Sequence, residues 1–302
     1  MTTADGSRQA PGGTATLAGR RVARIGFGAM QLVHRPRPAA GPDTAMVVLR
    51  DAVAKGVNHL DTAQFYGAGA CNALIRDALH PFPDDLVLAS KVGARDDGAG
   101  LVPAQRPEEL RAEVEANLVG LGVEQLAVVN LRRLDAPPGL SADGDQVVDL
   151  DSQLAELTAL RDEGKIGAIG LSNVSPGQLR QALPAGIACV QNAYSVLDRS
   201  SEPLLDLCRE HGIAWVPFFP LGSAFPGVPK VTEHLAVVKA AASLGVTPAQ
   251  VGLAWQLAHY AQTLLIPGTS DPAHLDDNIA AGSVRLPSGT VAALDHLAGS
   301  LD

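Results

Sequence analysis

The sequence predicts an α/β protein, a (β/α)8 TIM barrel in a single domain of residues 20–302, on three observations. Short apolar runs alternate with helix-length segments eight times without a break in composition, as successive strand, turn and helix units do. The run Lys165-Ile166-Gly167-Ala168-Ile169-Gly170-Leu171 is almost continuously apolar, as a parallel strand buried on both faces requires. Polar residues fall just after the runs, where barrel enzymes keep their chemistry.

In chain order, residues 1–19 are rich in Gly, Thr and Ala with no periodic apolar face, and are expected to be a disordered lead-in. Strands are expected at 22–28, 57–61, 86–90, 126–131, 166–171, 187–191, 213–218 and 262–266. Helices are expected near 43–55, 70–79, 107–120, 151–163, 175–183, 201–211 and 247–258, with two more at 271–280 and 289–299. Ser175-Pro176 and Thr247-Pro248 each put a capping hydroxyl before a proline at the first helical position. A doubly wound open sheet is the competing architecture, but it normally carries a Gly-rich dinucleotide turn after its first strand. Gly26-Phe27-Gly28-Ala29-Met30 lacks that spacing, and no helix starts there. The linkers 93–105, 134–150 and 222–230 follow strands three, four and seven, on the catalytic face of a barrel. The first two, rich in Asp, Gly and Pro, are read as mobile lids.

Composition narrows the function. A net charge of -9 over 302 residues argues against a nucleic-acid or anionic-membrane surface. Three scattered cysteines, Cys71, Cys189 and Cys208, are too few for a disulfide framework or a zinc site, so no metal is expected. No apolar run reaches the roughly 18 residues of a spanning helix, and Met1 to Ala10 lacks a signal segment. The expectation is a soluble cytoplasmic protein with a small-molecule partner, no nucleic acid and no membrane; the sequence leaves the oligomeric state open.

Two motifs carry the chemistry. Asp61-Thr62-Ala63-Gln64-Phe65-Tyr66-Gly67 follows the second strand, and Lys91 in Ala89-Ser90-Lys91-Val92-Gly93 follows the third. A free phenol, with a pKa of about 10, is a weak proton donor near neutrality. A buried ammonium beside it, itself paired with a carboxylate, would favour the phenolate and lower that value. Taken singly, such an Asp is usually a cap and such a Lys a surface charge. Their occurrence at adjacent strand ends, in this order, resembles the aldo-keto reductase family, whose tetrad is Asp, Tyr, Lys and usually His. The resemblance implies an acid/base role for Tyr66, a pKa-lowering role for Lys91, and for Asp61 the task of holding Lys91.

The resemblance runs from Arg24 to about Asn278 and includes Gly170-Leu171-Ser172-Asn173 and Gln191-Asn192-Ala193-Tyr194-Ser195. It implies that Ser172, Asn173 and Gln191 hydrogen-bond a nicotinamide carboxamide and that Phe218 stacks on the nicotinamide. It also puts Gly28, Ala29, Met30, Pro220, Leu221 and Ser223 among the cofactor-binding positions. Ser172-Asn173 also reads as a cap of the next helix, and Phe218-Phe219 as barrel packing. Gly268-Thr269-Ser270 before Asp271-Pro272 reads as a helix N-terminus with free N–H groups suited to an anion. By resemblance this loop takes the 2′-phosphate of NADPH, with Gly268 and His274 at positions often cationic and Asp277-Asn278 on the adenine. Gly268 to Asn278 contains no Lys or Arg. NADP(H) is therefore the implied cofactor, with only a modest preference over NAD(H).

At strand four, Val129-Asn130-Leu131-Arg132-Arg133-Leu134-Asp135 puts Arg132 at the position of the usual histidine. A guanidinium keeps its charge and cannot shuttle protons. It can polarise a carbonyl, help lower the Tyr66 pKa, or grip an anionic substrate group. Strand alternation points Arg132 into the site and Arg133 away, where it reads as a surface residue. The opening, strand-four and strand-seven motifs resemble the bacterial pyridoxal reductase branch. With little sequence after the last expected helix, the pocket is expected to be open to varied aldehydes. The expected function is NAD(P)H-dependent reduction of an aldehyde or ketone, pyridoxal-like, to an alcohol. The alternatives are a redox-neutral acid/base enzyme and a cofactor-sensing protein on the same barrel.

Overall fold

The computed structural model describes residues 9–33, 41–136, 139–222 and 228–297. Its strands are β1 (Thr14–Leu17), β2 (Arg20–Ala23), β3 (Phe27–Gly28), β4 (His59–Asp61), β5 (Val87–Val92) and β6 (Ala94–Asp96), followed by β7 (Leu101–Pro103), β8 (Leu126–Arg132), β9 (Ile166–Ser172), β10 (Ile187–Gln191) and β11 (Ala214–Trp215). Seven of them form one sheet in the order β11-β10-β9-β8-β5-β4-β3. Every pairing in it is parallel. Parallel neighbours need a crossover, and helices supply it: α1 (Pro42–Ala54), α2 (Ala70–Leu79), α3 (Pro107–Leu121), α4 (Leu150–Asp162), α5 (Pro176–Ala182) and α6 (Glu202–His211). After β11 come α7 (Leu235–Leu244), α8 (Pro248–His259), α9 (Pro272–Ala280) and α10 (Ser288–Asp295).

This curled parallel sheet fits a (β/α)8 barrel, but among the described residues eight strands do not close into one sheet. The strand expected at 262–266 is reduced to single bridges, Trp215 to Thr263 on one side and Ile25 to Leu265 on the other. Its backbone still reaches both edges: Leu264 N donates to Trp215 O at 2.8 Å and Leu265 N to Arg24 O at 2.8 Å. The strand expected at 213–218 is likewise short, ending at Trp215. The one expected at 22–28 is split between β2 and β3.

Residues 9–19, expected to be disordered, are ordered, while 1–8 lie outside the described residues. β1 and β2 pair as an antiparallel hairpin across Ala18 and Gly19, at φ 51 and 74. Two consecutive positive φ values are the mark of a tight hairpin turn, and alanine at the first of them hid it from composition. Ala15, Leu17 and Val22 pack with Val87, Ala89, Val128, Cys189, Ala214, Val216 and Leu264, the inward positions of the sheet. The larger core lies between sheet and helices, with Leu60, Leu88, Val129, Leu131 and Leu171 facing Val48, Ile75, Leu110 and Leu157. The linker 93–105 is a second antiparallel hairpin, β6 with β7. Among the described residues, no single helix is long and apolar enough to cross a membrane.

Candidate active site

β4 ends at Asp61 and β5 continues beyond its partner Ala89, so Lys91 projects from the next inward position of the neighbouring strand. Lys91 Nζ donates to Asp61 Oδ1 and, at 3.3 Å, to the carbonyl of Thr62. Gln191, at the end of β10, donates from Nε2 to Asp61 Oδ2 at 2.7 Å. Asp61, Lys91 and Gln191 are 3%, 7% and 2% exposed, so the ion pair lies in a medium where attraction is strong and water screens little. Burial works to lower the lysine pKa, but Asp61 and Tyr66 outweigh it, and the ammonium is held above its ordinary range.

Tyr66 comes from the turn after β4, its N–H donating to Ala63 O at 3.1 Å. The Phe65 ring meets it edge-on at 5.2 Å, and Lys91 Nζ lies 5.2 Å from its ring centre. Lys91 and Arg132 do pull the phenol pKa down, but burial pushes it up by more, so the net direction is up. The lowered pKa expected from the motif is therefore corrected: desolvation of the phenolate outweighs the nearby cations. The phenol stays protonated near neutrality, as a proton donor must.

A buried amide network, missed in the sequence, braces this turn from behind. Thr62 Oγ1 donates to Asn72 Oδ1 at 2.8 Å, and Asn72 Nδ2 donates to Gln64 Oε1 at 2.8 Å and Asn117 Oδ1 at 2.9 Å. Ser90 Oγ also donates to Asn117 Oδ1 at 2.5 Å. The network ties the turn bearing Tyr66, the strand bearing Lys91 and helices α2 and α3 together. Its only sequence signal is polar residues on helix faces that should be apolar.

Arg132 closes β8 opposite Ser172 of β9. It alternates inward with Asn130, is half-buried, and its Nη2 lies 3.5 Å from where a Cβ on Gly139 would sit. Arg133 points outward as expected but is not a surface residue. It is 5% exposed, forks onto Asp135 at 2.8 and 2.7 Å, and donates to Val148 O at 2.9 Å and to Gln153. Helix α4 and the preceding loop cover it.

The expected nicotinamide residues converge at the ends of β9, β10 and β11. Gln191 Oε1 is buried without a hydrogen-bond donor among the described residues, an acceptor whose capacity is unused. Ser172 is buried beside it on β9, opposite Gln191 in the register. Asn173 sits at φ 57, its Nδ2 donating to Ala136 O at 2.8 Å and Arg133 O at 3.2 Å, so only its Oδ1 remains for a ligand. Phe218 is half-buried and meets Phe219 edge-on at 5.0 Å. Phe219, at φ 55, lines a cavity of about 270 Å³ together with Asn173, Asn192, Tyr194 and Ser195.

Toward the expected phosphate end, Gly28 and Gly268 approach so closely that a Cβ on Gly268 would lie 2.3 Å from the Gly28 carbonyl. Ala29 is fully buried, Met30 is half-buried in the turn 29–32, and Leu221 packs against Gly252 of α8 beside half-buried Pro220. The α9 N-terminus is not wholly free: Asp271 accepts from Ala273 N at 2.8 Å, and Thr269 Oγ1 accepts from Asp271 N at 3.0 Å. Thr269 is buried, Ser270 half-buried and His274 exposed, while Gln250 holds the Asp277 carbonyl at 3.1 Å next to half-buried Asn278. Ser223 lies outside the described residues.

A parallel α/β sheet with a buried Lys–Asp pair and a phenol beside it at the strand ends is an arrangement suited to acid–base chemistry. The family profile described as Aldo/keto reductase family matches residues 24–298, and the chain belongs to that family. It is 42% identical over 288 residues to pyridoxine 4-dehydrogenase of Escherichia coli, covering 94% of this chain and 98% of that one. It is 32% identical to a probable aldo-keto reductase 1 of Glycine max, covering 89% and 83% of the two chains. Among solved structures, an aldo/keto reductase from Klebsiella pneumoniae in complex with NADP and acetate matches with a TM-score of 0.78 at 25% identity, covering 94% of each chain. The protein is an NAD(P)H-dependent oxidoreductase that reduces carbonyl compounds, and neither the redox-neutral nor the sensing alternative is favoured.

Proposed function

We propose that this protein is an NADPH-dependent reductase of aromatic aldehydes, with pyridoxal the leading substrate and pyridoxine its product. The observation that carries the reading is the buried Lys91–Asp61 pair beside the protonated phenol of Tyr66. When bound, the nicotinamide supplies a hydride to the carbonyl carbon. Tyr66 supplies the proton: its O–H bond breaks as the alcohol O–H bond forms, and solvent restores the phenol. Lys91 lies against the ring where the phenolate charge develops and so stabilises it most in the transition state. Asp61 and Gln191 fix the lysine's position.

The residues present fit a nicotinamide cofactor. On this reading Gln191 Oε1 is the buried acceptor for its carboxamide, with Ser172 and Asn173 Oδ1 alongside, and half-buried Phe218 is the ring that stacks on the nicotinamide. Gly28, Ala29, Met30, Pro220, Leu221 and the loop from Gly268 to Asn278 are the positions this reading assigns to the remainder. The related enzymes bound to NADP or NADPH support NADP(H) as the partner. A loop without Lys or Arg, its helix N-terminus partly taken by Asp271, gives NADPH only a modest advantage over NADH. Residues 20–302 act as one cytoplasmic barrel domain, with 262–266 serving as the eighth stave through its backbone bonds to Trp215 and Arg24. The test is loss of nicotinamide absorbance with pyridoxal and NADPH, with chromatographic identification of pyridoxine.

A further inference from the structure

Arg132 stands apart from the other well-covered arginines. Arg133 forks onto Asp135, Arg111 onto Glu163 with Glu156 at its Nε, and Arg199 bonds Glu202. Arg24 donates to the carbonyls of Leu257, Tyr260 and Thr263. The half-buried Arg132 has no carboxylate within ion-pair distance and no hydrogen-bond acceptor among the described residues. Burial works against its charge, and the neighbouring group that opposes this is Tyr66, only when ionised. A partly desolvated guanidinium with five donors and no acceptor is costly unless something fills the fork. Gly139 lies beside Nη2, where a Cβ would sit at ordinary contact distance, 3.5 Å, and it offers the guanidinium no side-chain acceptor.

We infer that Arg132 is a specificity-determining residue that binds an ionised oxygen carried by the substrate beside its carbonyl. The inference rests on the carbonyl reductase reading above and deepens it by naming the substrate class. Tyr66 addresses the carbonyl oxygen, and Arg132, at the end of β8 on the same face, is near enough to interact with Tyr66 electrostatically. A molecule presenting both oxygens on one side can therefore reach both. An aromatic aldehyde with an ionised hydroxyl on the adjacent ring carbon does this, and the planar fork suits such an oxygen better than an ammonium would. A neutral aldehyde would leave the guanidinium unpaired in the closed complex.

The test compares 2-hydroxy-5-nitrobenzaldehyde, whose phenol is ionised at pH 8, with its 2-methoxy analogue, and adds phenylglyoxylate as a carboxylate arm. Wild type, Arg132→Leu and Arg132→Lys are assayed with NADPH, and products are measured by chromatography. Calorimetry of 4-nitrophenolate against 4-nitroanisole supplies a readout that needs no turnover. The expected result is a preference for the phenolate over the methoxy aldehyde that falls by at least ~10-fold in Arg132→Leu, with Arg132→Lys between. The 4-nitrophenolate affinity should fall in parallel, while 4-nitroanisole binding stays the same. An unchanged preference in Arg132→Leu, or equal 4-nitrophenolate binding by the two proteins, would overturn the inference. So would an Arg132-dependent preference for phenylglyoxylate over the phenolate. Absence of turnover with every aldehyde in wild type would instead count against the reductase reading itself.

Discussion

Gln191 donates a 2.7 Å hydrogen bond to the one Asp61 oxygen that Lys91 does not take, across 130 positions of sequence. The Asp61 carboxylate is therefore held from two strands that are not neighbours in the sheet, β5 and β10. Replacing Gln191 with Met should leave that oxygen short of a donor in a buried site, at a cost of about 1–3 kcal/mol in denaturant unfolding. The same variant should weaken cofactor binding, because Oε1 is also lost. Unchanged stability together with unchanged cofactor affinity would show that the contact does neither.

The pH dependence of reduction follows from Tyr66. Its phenol must be protonated to act, and burial holds its pKa above the ordinary value of about 10. The reduction rate should be level through neutrality and pH 9 and fall only at higher pH. Alcohol oxidation, which needs the phenolate, should rise over the same range. Arg132 stands where a histidine would titrate, so no step near pH 6.5 is expected. A clear acid limb at that pH would place a histidine in the mechanism.

His59 is fully buried, with no hydrogen bond to either ring nitrogen among the described residues, and burial depresses its pKa to about 4. Its unfolded value is about 6.5, so the unfolded chain binds the extra proton first as pH falls. The stability contributed by the neutral ring is complete above pH 6.5 and is lost as pH falls toward 4, by about 3 kcal/mol in all. Urea unfolding at pH 7 and 4.5 should show this loss in wild type and a smaller one in His59→Gln. Equal losses would mean that the ring is hydrated or paired.

Arg133→Met should destabilise the fold by at least ~2 kcal/mol, since it strands Gln153 and the Val148 carbonyl and cuts the link to Asp135. Thermal unfolding of this variant beside Arg132→Leu separates the two neighbours. Only the former should lower the melting temperature substantially.

Much of this was legible in the sequence because barrel strands end in polar residues on a fixed period. Asp61, Lys91 and Arg132 each follow an apolar run, and β4, β5 and β8 bring them to one end of the sheet. What escaped is instructive. α7 begins at Leu235 with His234 as its cap, accepting from Ala236 N through Nδ1, and a histidine does not announce a helix start as Ser or Thr does. Leu235 and Val238 face outward, which blurs the helical period further. The β1–β2 hairpin was hidden by alanine at a positive φ. The burial of Arg133 was invisible because its partners Val148 and Gln153 come from the next loop and helix. The Gln64–Asn72–Asn117 network and the Gln191–Asp61 bond join residues that no local pattern links.

In the proposed reaction Tyr66 donates the proton that completes carbonyl reduction. The most direct measurement is single-turnover oxidation of NADPH by Tyr66→Phe with pyridoxal, alongside the variant's NADPH dissociation constant. The account predicts near-native cofactor binding with a rate at least ~10²-fold below wild type, the scale of a lost general acid. A variant that binds NADPH normally and reduces pyridoxal at close to the wild-type rate would contradict it.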